Sequence, residues 1–152
     1  MHTLSRNPEK PDGHGARVAP PPATLDTART RRTVTAFLDA LERGDSDGLR
    51  ATLTHGRFDF VGALDRFDDV DAFVADIEHF SLILTGVERR RLLVDGNEAC
   101  VVLTYLTCLD NLARTRAAAW LTADATGLIC RIESFLDPRA YAGMFEDDGR
   151  RR

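Results

Sequence analysis

Residues 87–109 read VERRRLLVDGNEACVVLTYLTCL, and the reading of this stretch decides the fold. Asp95-Gly96-Asn97 is a tight-turn signal between two runs rich in aliphatic, β-branched and aromatic residues, so Val87–Asp95 and Ala99–Leu109 are expected to pair as an antiparallel hairpin. The same texture continues toward the C-terminus. Asp110-Asn111 turns the chain, Ala113–Thr122 and Leu128–Leu136 supply two more strands around a turn at Asp124–Gly127, and Asp137-Pro138 closes the last one. Toward the N-terminus the apolar period changes from two to about 3.6. Val34, Phe37, Leu38 and Leu41 fall at i, i+3, i+4 and i+7, with Gly44 placed to end that helix. Asp45 is the cap of a short second helix through Leu49 and Leu53, and Arg57–Val61 reads as a short strand. Asp69 caps a third helix, whose apolar stripe is Val70, Phe73, Val74, Ile77, Phe80 and Leu84 and which runs to Gly86. Helices first and an antiparallel meander afterwards are the ordering of an α+β domain, not of alternating α/β units.

A chain of 152 residues, 43% hydrophobic and 29% charged, is long enough to bury the core of one domain without disulfides. Residues 1–24 hold five of the six prolines and no aromatic residue, so they are expected to be a leader outside the folded unit. Residues 147–152 form a charged tail, which leaves a domain over residues 25–146. That domain carries 14 arginines against 20 acidic residues, a balance that argues against nucleic acid as a partner. No apolar run approaches the roughly 20 residues of a membrane span, and the opening residues lack an apolar secretory segment. Cys100, Cys108 and Cys130 have no metal-ligand spacing, and their odd number suits a reducing, cytoplasmic setting. With no phosphate-binding glycine loop or dinucleotide fingerprint, neither a cofactor nor a metal is expected.

Three segments sharpen the α+β reading: Phe37–Asp45 (FLDALERGD), Leu92–Glu98 (LLVDGNE) and Phe135–Tyr141 (FLDPRAY). With the element order, they resemble the nuclear transport factor 2-like superfamily, and within it the SnoaL-like and ketosteroid isomerase-like proteins. The resemblance covers about residues 25–146. It implies a cystatin-like cone, in which a curved, mixed, mostly antiparallel sheet wraps around three N-terminal helices and leaves a pocket at the open end. The superfamily holds isomerases, dehydratases, epoxide hydrolases, polyketide cyclases and non-catalytic binding proteins, so activity has to be read from individual residues.

Asp59-Phe60-Val61-Gly62 is similar to the Asp-Pro-Val-Gly segment that carries the general base of ketosteroid isomerase-like enzymes, which makes Asp59 the candidate base. The tyrosine and acid that would hold an enolate in those enzymes fall at Phe37 and Ala119 here, and neither side chain can donate a hydrogen bond, so steroid-type isomerisation is not expected. Strand alternation leaves two possibilities for Asp59: it faces solvent while Phe58 and Phe60 fill the core, or it points into the pocket. His79, on the third helix, faces either solvent or the pocket rim, whereas His55 reads as a helix-end residue. The aspartate–arginine–aspartate network of epoxide hydrolase-like members has its residue types in Asp59, Arg114 or Arg116, and Glu133 or Asp137. The acidic run Asp65, Asp68, Asp69, Asp71 lacks the glycine and terminal glutamate of a calcium loop and reads as a solvated loop leading to a helix cap.

For the pocket wall the resemblance points to Phe37, Leu41, Phe60, Phe73, Ile77, Phe80, Ala119, Leu121 and Phe135, with the hydroxyl of Tyr105 as the group that orients a ligand. If Ala119 faces inward, Trp120 lies on the outer sheet face, where a homodimer would form. The expected function is binding of a small hydrophobic or aromatic metabolite, with cofactor-free acid/base chemistry through Asp59, Tyr105 and His79. The alternative is a non-catalytic homodimeric binding or accessory protein of the same fold.

Overall fold

A computed structural model describes residues 27–110 and 113–140, and the expected leader 1–24 and tail 147–152 lie outside the described residues. Helix α1 spans Thr27–Arg43 and buries Val34, Phe37, Leu38 and Leu41, the stripe set by their spacing. Gly44, at φ 63°, takes the left-handed conformation that ends it, so that the Asp45 amide bonds back to the Ala40 carbonyl at 2.9 Å. Asp45 then caps α2 (Ser46–Thr52), its carboxylate accepting from the Gly48 amide at 2.9 Å. Strands β1 (Asp59–Val61) and β2 (Arg66–Phe67) precede α3 (Val70–Ser81), which Asp69 caps through the Ala72 amide at 2.8 Å.

Four longer strands follow: β3 (Leu84–Asp95), β4 (Glu98–Thr107), β5 (Arg114–Ala123) and β6 (Ile129–Leu136), and after β6 the described residues end in a 3-10 turn at Pro138–Ala140. The six-stranded sheet has the order β2-β1-β6-β5-β4-β3 and remains open. Only β1 and β6 run parallel, and every other neighbouring pair is antiparallel. Irregularities of register at Leu84/Gly86 and Arg89/Arg91 in β3 and at Thr122/Ala123 in β5 add local twist and bend, curving the sheet over the helices. The core lies between this concave face and the helices: Leu49, Leu53, Phe58, Phe73, Val101, Leu103, Leu121 and Ile129 are fully buried with the α1 stripe. This is the α+β, cystatin-like cone expected from the sequence.

Two elements differ from expectation. The third helix stops at Ser81 instead of continuing to Gly86, because the amides of Leu82 and Ile83 tighten onto the carbonyls of His79 and Phe80. Ile83 then accepts from the Cys108 amide at 2.9 Å, and Leu84 pairs with Thr107 at the start of the β3–β4 ladder. Within the acidic loop, Arg66-Phe67 pairs with β1, where Phe60 and Phe67 stack at 5.8 Å between ring centroids.

Candidate functional site

Two cavities lie between α3 and the concave face. The outer one, about 370 Å³, is walled by Phe60, Gly62–Asp65, Asp76, Ile77, His79, Phe80, Ile83, Tyr105, Ser134 and Leu136. The inner one, about 70 Å³, reaches back to Phe37 and Leu41 of α1, Phe73 of α3, and Val101, Ala119, Leu121 and Ile132 of the sheet. Phe60, Ile77, Tyr105 and Ser134 line both. The walls are apolar because each contributing element presents its buried stripe: Phe60 and Phe73 pack at 4.9 Å, and the Phe80 ring meets the Tyr105 ring edge-on at 5.2 Å.

Polar side chains gather in the outer cavity. Asp76 and His79 are one helical turn apart on α3, and Asp65 comes from the loop after β1. Burial raises the Asp76 carboxyl above its ordinary value, the negative charge of Asp65 raises it further, and His79 opposes the shift. A carboxyl poised in this way, in a cavity with a histidine, a tyrosine and a serine, can accept or return a proton or hold a hydrogen-bonding ligand.

No family model and no curated protein matches the chain in sequence. Solved structures match its shape. A nuclear transport factor 2-like protein from Cytophaga hutchinsonii is 19% identical at a TM-score of 0.63, covering 74% of this chain and 93% of its own. An epoxide hydrolase of the LEH-like kind from M. tuberculosis is 20% identical at 0.62, covering 74% and 86%. A provisionally assigned SnoaL-like polyketide cyclase from Jannaschia is 16% identical at 0.65, covering 75% and 89%. The chain has the nuclear transport factor 2-like fold.

In this nuclear transport factor 2-like cone the concave face carries the cavities, and the two faces of the sheet sort the expected site residues. Phe37, Leu41, Phe60, Phe73, Ile77, Tyr105, Ala119 and Leu121 stand at the inner cavity, and His79 and Phe80 at the outer one. Asp59 corrects the sequence reading. It pairs in register with Arg131 while Phe60 pairs with the buried Ile132, so alternation turns Asp59 to the convex face and Phe60 to the cavities. There Asp59 is held by Arg131 at 2.7 Å and Arg66 at 3.5 Å, and Arg131 also reaches Glu133 at 2.8 Å. The acid–arginine–acid types thus do meet, but on the outside of the cone and through Arg131; Arg114 instead clasps Glu88, and Asp137 pairs with Arg139. Phe135 is the second correction. It stands beside Ala118 on the convex face, and Ser134 takes the inward position in β6.

Asp76, Asp65 and Ser134 are the polar lining groups absent from the sequence-derived site. Asp76 left a readable signal: Phe73, Asp76, Ile77 and Phe80 fall at i, i+3, i+4 and i+7, so this carboxylate interrupts the apolar stripe of α3.

Proposed function

We propose that the chain binds a small, apolar, aromatic molecule in the cone, oriented by Tyr105, Asp76 and His79. The chemistry open to it is cofactor-free proton transfer of isomerase, cyclase or dehydratase type, with Asp76 in the role first assigned to Asp59. The observation that carries this reading is the outer cavity itself. Its volume of about 370 Å³ is that of a small-molecule site, and its apolar walls converge on a few polar groups. The occurrence of an epoxide hydrolase and a cyclase on the same fold is consistent with it.

Titration of the full chain with 1-naphthalenemethanol by calorimetry tests the reading. One-to-one binding, weakened about tenfold or more by Ile77→Trp with the circular-dichroism spectrum retained, is the expected result. Absence of binding, or binding indifferent to the tryptophan that fills the cavity, would sink it.

A second reading, a homodimeric binding or accessory protein, is favoured by one observation. Leu93, Val102, Trp120 and Phe135 are 59%, 40%, 43% and 55% exposed on neighbouring strands of the convex face. Such an apolar patch on a sheet suits a second copy of the chain.

A further inference from the structure

The charge of the outer cavity narrows the class of molecule it takes. Several carboxylates of the described residues are matched to arginines: Asp59 with Arg131, Glu88 with Arg114, Asp39 and Glu42 with Arg89, Asp71 with Arg50. Asp65 and Asp76 line the cavity, and no arginine or lysine stands among its lining residues. His79 is the only side chain of that wall able to carry positive charge.

We infer that the cavity selects apolar molecules bearing a protonated amine and rejects carboxylates and other anions. This rests on the reading that the cavity holds a small aromatic ligand and assigns that ligand its charge. The geometry supplies the reason. Apolar walls formed by Phe60, Ile77 and Phe80 take the ring system, while Asp76 and Asp65 stand at the same cavity to accept from an ammonium group. An ammonium also relieves the repulsion between the two carboxylates, which a neutral ligand leaves in place and an anion increases. The walls exclude part of the solvent that would otherwise screen these charges, so the discrimination is larger here than on the open surface.

Three naphthalene probes with different charge separate this inference from the reading on which it rests. 1-Naphthylmethylamine, 1-naphthalenemethanol and 1-naphthoate are titrated into the full chain at pH 7.5, and into Asp76→Asn, Asp65→Asn and the double variant. The amine is expected to bind about tenfold or more tighter than the alcohol, and the naphthoate more weakly than either. In the double variant the amine-to-alcohol ratio falls close to one. If the alcohol binds and is displaced by Ile77→Trp but the amine binds no tighter, the charge selection is wrong while the cavity reading stands. A preference for the amine that survives in the double variant overturns it equally, because general attraction to an acidic protein then explains it. Failure of all three probes removes both.

Discussion

Asp59 and Asp76 show how much the face of an element decides about a single residue. Asp59 carries the sequence resemblance to a catalytic aspartate, yet it sits between two arginines on the convex side of the cone. Asp76 carries no such resemblance and projects into the cavity. Its raised carboxyl has a stability consequence whose sign follows directly. The folded protein holds the proton more tightly than the unfolded chain, whose carboxyl keeps the ordinary value of 3.8. The penalty for ionising Asp76 is therefore absent below that value and grows as the pH rises through the folded one. Asp76→Asn is expected to be more stable than the wild type at pH 7.5 and to lose that advantage near pH 3.5, measured as urea midpoints at the two pH values. A less stable variant at pH 7.5 would show that the carboxylate is held by favourable contacts. Functional groups that cost stability where they stand are common in binding sites.

At the scale of elements, the turns do more than connect. Asp124, between β5 and β6, accepts from the Thr54 hydroxyl at 2.6 Å, the Thr126 amide at 2.8 Å and the Leu128 amide at 3.3 Å. It thereby joins the β5–β6 turn to the end of α2. The N-terminal turns of α1 pack on the same place, where Arg29 donates to the Thr126 carbonyl and the Thr33 hydroxyl to the Gly127 carbonyl at 2.9 Å. Burial works against the Asp124 carboxylate, but the hydrogen bonds from Thr126, Thr54 and Leu128 outweigh it and hold the group below its ordinary value. Asp124→Ala leaves the buried Thr54 hydroxyl without this acceptor, and is expected to lower stability by about 1–3 kcal/mol. The check is a lower urea midpoint at unchanged slope, with the difference shrinking as the pH falls through the folded-state value. Such turns were legible in the sequence, because Asp124–Gly127 and Asp95–Asn97 carry their own local chemistry. The pairing of β1 with β6 was not, since nothing in three residues names a partner as distant in the chain as Arg131 is from Asp59.

For the molecule as a whole, both faces of the open sheet carry apolar side chains, the convex one as a patch beside charged residues. The concave one is filled by α1 and α3 apart from the cavities, while the convex one presents Trp120 and Phe135 beside Leu93 and Val102. A stable dimer buries on the order of 1,200–2,000 Å² in total, an area that takes the face of several strands. Phe135→Glu, which places a charge at the β6 side of that patch without touching the core, is expected to convert a dimer to a monomer in size-exclusion chromatography with light scattering. A wild-type monomer at tens of micromolar would end the dimer proposal.

The sequence by itself determined the fold class and the types and order of the elements apart from β2 and the end of α3, because helix stripes, caps and turn residues act over a few neighbours. From these, with the resemblance of three short segments, came the cone, the inner wall from Phe37 to Leu121, and the outward position of Trp120 once Ala119 faced in. Tertiary structure alone decided which side of β1 and β6 faces the cavities. In a strand of period two the choice between Asp59 and Phe60, or between Phe135 and Ser134, is made by the register with a distant strand. That choice moved the candidate chemistry from Asp59 to Asp76.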